Sequence, residues 1–127
     1  MKKILFILNL LKHHSILQLI FKDYLFRNGK IYKRLSDIPF TGVIKIPNGK
    51  DKFWLITNYK DGLAHGLSQS SFLDGSVKQT GMYDKGDRTG KWIGYYPDGS
   101  IDYTMTTTYK NGKDIYHHTC KQFEVRC

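Results

Sequence analysis

Cysteine and alanine are nearly missing from this chain of 127 residues. Cys120 and Cys127 both fall among the last eight positions, so no disulfide framework can staple the rest. In an exported chain the two could pair, and in a reducing cytosol they would stay free. The neighbouring His117-His118-Thr119-Cys120 has no second spaced pair of ligands, which favours a polar tail over a zinc site. No metal and no cofactor are expected. Ala64 is the sole alanine, and a small-x-small signal cleavage site is absent. Leucine and isoleucine crowd into the first quarter. Beyond it the apolar residues are mostly aromatic, with 9 tyrosines among them, and 12 glycines punctuate the chain. Such a composition suits short strands joined by tight turns better than a helical bundle. The length allows one domain with a modest core.

Acidic residues are also missing from the start. Positions 1–36 hold eight Lys/Arg against Asp23 alone, a balance of +7, whereas positions 37–127 carry only +2. Nucleic-acid binding needs positive charge clustered on the folded face that tracks phosphates, so it is not expected here. The basicity lies beside apolar runs instead, a pattern of membrane contact, and residues 1–34 are a candidate for meeting an anionic bilayer.

Residues 1–22 read as an apolar basic leader. Met1-Lys2-Lys3 and the run Ile4–Leu11 resemble a secretory signal, but Lys12-His13-His14-Ser15 interrupts it before a second run, Ile16–Phe21. Neither run reaches the roughly 20 residues of a spanning helix, and the central lysine and histidines would be costly in hydrocarbon. A helical segment is expected, with three readings open: an imperfect signal or anchor, a helix packed on the following domain, or a disordered leader. Membrane association or export follows from the first, and a cytoplasmic location is the alternative.

The strongest signal is internal periodicity. Gly42, Gly66 and Gly90 are separated by steps of 24. Tyr59, Tyr83 and Tyr109 follow with steps of 24 and 26, as do Gly62, Gly86 and Gly112. Gly49, Gly75 and Gly99 make a fourth register, and Gly29 is an upstream echo. Six of these ten glycines close turns: Asn48-Gly49, Asp61-Gly62, Asp74-Gly75, Asp98-Gly99 and Asn111-Gly112, with Lys85-Gly86 as the variant. Asx-Gly pairs suit two-residue hairpin loops that need positive φ. The spacing predicts consecutive antiparallel hairpins over residues 24–116, followed by a tail at 117–127.

The clearest copy runs from Gly90 to Gly99. Alternation places Trp92, Gly94 and Tyr96 on one face and Ile93 with Tyr95 on the other, with Gly94 leaving room for a neighbouring aromatic. The matching copy has Ser68 where Trp92 stands and Phe72 where Tyr96 stands, and reads as the weaker repeat. The stretch from Tyr83 to Gly99, of the form Tyr-x-x-Gly-x-x-x-Gly-x-Trp-x-x-Tyr-Tyr-x-x-Gly, resembles the bacterial variant of the MORN repeat. Pro39-Phe40-Thr41-Gly42 is similar to the opening common in those proteins. The resemblance covers roughly residues 25–116 and implies a mainly β fold, an open meander of MORN-like hairpins. Proteins of this kind are often labelled toxin–antitoxin system antitoxins of the YwqK type, which implies a protein partner. Ser68, the two extra residues before Tyr109 and the irregular first unit depart from the pattern.

The acids Asp61, Asp74 and Asp98 are accounted for by turn chemistry, and His65 has no nucleophile motif beside it. The expectation is a non-enzymatic module mediating protein–protein interaction. A membrane-tethered or exported scaffold is the alternative. The candidate binding surface comprises Trp54, Tyr59, Phe72, Tyr83, Trp92, Tyr95, Tyr96 and Tyr109, since Tyr and Trp commonly anchor interfaces. Filling a thin core is the competing role for the same rings. Sheet edges open to a second copy are a further expectation.

Overall fold

A computed structural model describes residues 22–50 and 52–117. Nine strands follow one another: β1 Tyr24–Arg27, β2 Lys30–Lys33, β3 Gly42–Pro47, β4 Phe53–Lys60, β5 Leu63–Ser71, β6 Val77–Asp84, β7 Asp87–Tyr95, β8 Ile101–Lys110 and β9 Lys113–His117. Strands β3 to β9 form one seven-stranded sheet in chain order, each antiparallel to the next. The fold is mainly β, an open antiparallel meander. The leader, including the expected helix, and the Cys120/Cys127 tail lie outside the described residues. Among the described residues no helix is long and apolar enough to cross a membrane.

The upstream echo does not extend this meander. Strands β1 and β2 pair only with each other, as a separate two-stranded sheet. The hairpin is held to the larger sheet by a bridge between Tyr32 and Pro39 and by Ile31 N–H donating to Gly62 O at 2.9 Å. The cause is the connection: residues 34–41 fold back through Phe40 N–H to Ile31 O, so Pro39 and Phe40 meet β2 before β3 begins.

The glycine registers correspond to backbone geometry. All ten register glycines have positive φ, and Gly81 and Gly94, the two outside the registers, do not. The Asx-Gly turns divide into two kinds. Asn28-Gly29, Asp61-Gly62, Lys85-Gly86 and Asn111-Gly112 have positive φ at both residues, as a type I′ turn requires. At the other end of the sheet only Gly49, Gly75 and Gly99 are positive, and the loops are longer. There Asn48, Phe72 and Tyr96 donate their N–H to the carbonyls of Lys52, Ser76 and Ser100, each at 2.8 Å. Asp74 and Asp98 act as loop caps, each accepting from the N–H and hydroxyl of the serine two residues on. Those four bonds hold both carboxyls below the ordinary carboxylate range, the serine hydroxyls being the main cause.

The type I′ turns dock on the unit before them. Gly62, Gly86 and Gly112 donate their N–H to Phe40 O, Ala64 O and Arg88 O. Asp61 N–H reaches Thr41 Oγ1, and one unit later Lys85 N–H reaches His65 Nδ1. The repeat therefore extends to hydrogen bonds between neighbouring units, as in arrays where each unit leans on the next.

Candidate interaction surface

Pairing register sorts the side chains into two faces. On the first, Ile44 pairs with Thr57, Thr57 with Ser68 and Ser68 with Gly81, and farther along Trp92 pairs with Thr107. Ile44, Thr57, Ser68, Trp92 and Thr107 are all buried, with Ile46 beside them. Ser68 is not a gap left by a missing ring, because its hydroxyl lies 2.9 Å from that of Thr57 and satisfies it.

Trp92 is only 3% exposed. Its indole lies on Gly81, where an added Cβ would come within 2.2 Å of the ring, and its N–H donates to Met82 O at 3.0 Å. Tyr83 and Tyr109 meet the ring edge-on, with centroids 5.1 and 6.3 Å away. The Arg88 guanidinium sits 4.2 Å from the indole centroid and 5.4 Å from that of Tyr109, within cation–π range. Burial works against the Arg88 charge, but hydrogen bonds to the Tyr83 and Tyr109 hydroxyls outweigh it and raise the pKa above the ordinary value. Tyr59 belongs to the same face farther along, where burial, aided by Tyr83, pushes its hydroxyl up. It lies near Phe40, which in turn meets Tyr24 edge-on.

The structure thus brings Tyr83, Trp92 and Tyr109 together, with Tyr59 on the same face, and separates the other four aromatics. Tyr95 is half-buried and lies on the opposite face. Trp54 stands at the irregularity where β4 leaves Pro47. Phe72 and Tyr96 open the long loops and lie outside β5 and β7, so Tyr96 does not continue the Trp92 face. What covers Gly94 is Met105, not an aromatic ring.

Met105 arrives there through the two extra residues of β8. Pairing jumps from Trp92–Thr107 to Gly94–Asp102, leaving residues 103–106 as a bulge. Thr106 Oγ1 accepts from Gly94 N–H and donates to Asp102 O, while Asp102 Oδ1 accepts from Thr104 N–H and hydroxyl. Burial raises the Asp102 pKa, but these bonds, with those from Met105 N–H and the Tyr96 hydroxyl, outweigh it and leave the carboxyl below its ordinary range.

The second face is built differently. Leu67 pairs with Met82, and Val43 lies in line with them across Asn58. Their exposures are 44% for Val43, 51% for Leu67 and 46% for Met82. The next line runs Lys45, Ile56, Gln69, Thr80, Ile93, each paired with the next. Taken together, the two lines place one aliphatic side chain on each of β3 to β7 on an open surface. Sequence reasoning concentrated on rings and missed this face. The signal was present as Val43 and Leu67, each one residue after a register glycine, and is broken in the next unit by Lys91.

Among the described residues no group of His, Cys, Asp and Glu could hold a metal ion. Compared with known proteins, the chain matches no family model, no curated protein and no solved structure.

Proposed function

We propose that this chain is a non-enzymatic repeat module that binds another protein through the second face of its sheet. The observation that carries the reading is the line of Val43, Leu67 and Met82, all about half exposed, beside Ile56 and Ile93. Contiguous apolar surface framed by polar groups is typical of protein contact sites. The buried row on the other face gives the sheet a packed side, and the type I′ turns fix its register, so the exposed line is presented on a rigid backbone. In the narrower form implied by the MORN-like resemblance, the partner is a toxin and the module is its antitoxin.

Affinity capture with the full chain tests the reading. Wild type should retain a specific protein that Leu67→Lys/Met82→Asp loses, while the opposite charges across the pair keep the urea midpoint close to that of wild type. Equal capture by both would refute this face as the site. A second reading, a scaffold tethered at a membrane, draws on the exposed basic residues Lys22, Arg27, Lys33 and Arg34 next to the leader. Fractionation tests it: deleting residues 1–22 should move the protein from membrane to soluble fractions, and an unchanged distribution ends the idea.

A further inference from the structure

Three Asn-Gly pairs occur in the chain, and each is followed by lysine: Asn28-Gly29-Lys30, Asn48-Gly49-Lys50 and Asn111-Gly112-Lys113. Asn-Gly is the pair most open to spontaneous deamidation, because glycine leaves the following backbone nitrogen unshielded. The nitrogen of the glycine attacks the asparagine Cγ, ammonia leaves, and the resulting succinimide is opened by water. Hydrolysis at one carbonyl gives aspartate and at the other isoaspartate, with no oxidant or reductant involved. The three sites share the next two residues, which dominate the local rate, so a large difference between them points to the fold.

We infer that Asn28 is the deamidation site of the folded protein and that the fold protects Asn111 and Asn48. At Asn111 the attacking nitrogen is occupied, because Gly112 N–H donates to Arg88 O. At Asn48 the side chain is occupied, its amide donating to Leu73 O at 3.2 Å, and its backbone N–H is bonded to Lys52 O. Asn28 and Gly29 are exposed, and neither the Asn28 amide nor Gly29 N–H has a partner among the described residues. Asn28 and Asn111 sit in the same kind of turn with φ of 50° and 52°, so backbone conformation does not distinguish them. Their settings do. Asn111 joins two strands of the large sheet, whereas Asn28 joins the strands of a separate two-stranded sheet tied to it by few hydrogen bonds, which opens more readily. Isoaspartate at position 28 would insert a methylene into the main chain at the turn that sets the β1–β2 register, and either product adds a negative charge beside Arg27 and Lys30.

The test is peptide mapping of the full chain held at mildly alkaline pH, with isoaspartate scored by enzymatic methylation. Under native conditions the Asn28 peptide should convert about five- to tenfold faster than the Asn111 and Asn48 peptides, roughly the factor for one net hydrogen bond. In concentrated denaturant the three rates should converge. Native conversion of Asn111 or Asn48 as fast as Asn28, or a rate order that survives denaturation, would overturn the inference. Absence of conversion at Asn28 while the denatured chain converts would overturn it equally.

Discussion

Replacing Gly81 with alanine isolates the contact on which the first face depends. In an ordinary strand position with negative φ, glycine to alanine stabilises a protein by about 0.4–1 kcal/mol, because the unfolded chain loses freedom. Gly81 does not have positive φ, so that gain is available in principle. The new Cβ, however, would stand 2.2 Å from Trp92 Cδ2, 2.4 Å from Cε2 and 2.5 Å from Cγ. The rigid ring is pinned by its N–H bond to Met82 O and by Tyr83, Tyr109 and Arg88 around it. It cannot swing aside without losing them. Overpacking of this kind costs about 1–3 kcal/mol, and deleting a buried tryptophan altogether, at about 3–5 kcal/mol, sets the ceiling. Gly81→Ala should therefore be destabilised by about 1–3 kcal/mol, lowering the urea midpoint by about 1 M for a small domain. Far-UV circular dichroism reads this without relying on the tryptophans. In a Trp92→Ala background the same substitution should be neutral or stabilising, a reversal of sign that only direct contact produces. A Gly81→Ala midpoint equal to or above wild type would refute the reasoning.

Three further outcomes follow. Ser68→Ala leaves the buried Thr57 hydroxyl without its partner and should cost about 1–3 kcal/mol in urea melts, while Thr57→Val/Ser68→Ala recovers most of the loss. Arg88→Met keeps an aliphatic stem over the indole but removes the cation, and should cost about 1–2 kcal/mol with a changed near-UV tryptophan signal. Asp102 titrates below the ordinary range when folded, so its contribution is complete above about pH 4, the unfolded carboxylate value, and is lost as pH falls through the lower folded value. Asp102→Asn should accordingly lose less stability than wild type between neutral pH and about pH 3, and equal losses would contradict the assignment.

Much of the backbone was legible in the sequence because turns are local. A positive φ favours glycine, and after it asparagine or aspartate, at one place in the chain, and the registers of Gly42, Gly62 and Gly75 record that preference directly. Pairing across strands is not local. Nothing in the sequence says that Trp92 lies on Gly81, because the two meet only once β6 and β7 pair. The same holds for Arg88, which reads as a turn-flanking charge until Tyr83 and Tyr109 are brought to either side of it. The difference between the two kinds of Asx-Gly turn was hidden because both use the same dipeptide, and only the hydrogen bonds across residues 48–52, 72–76 and 96–100 separate them. Of the eight aromatics, Tyr59, Tyr83, Trp92 and Tyr109 fall on the packed face, and the aliphatic side chains opposite, one to a strand, left a weaker trace.

The number of strands in the large sheet has a consequence for how copies could meet. With seven strands alternating in direction, β3 and β9 at its two edges point the same way. Two copies stacked head to tail by translation would join β9 to β3 as a parallel pair, a joint that occurs nowhere among the described residues. With the sheets facing the same way, a two-fold arrangement, β3 to β3 or β9 to β9, is what continues the antiparallel ladder, and it uses up the edge it forms on. The parity of the sheet thus disfavours stacking by simple translation and favours two-fold contacts at its edges.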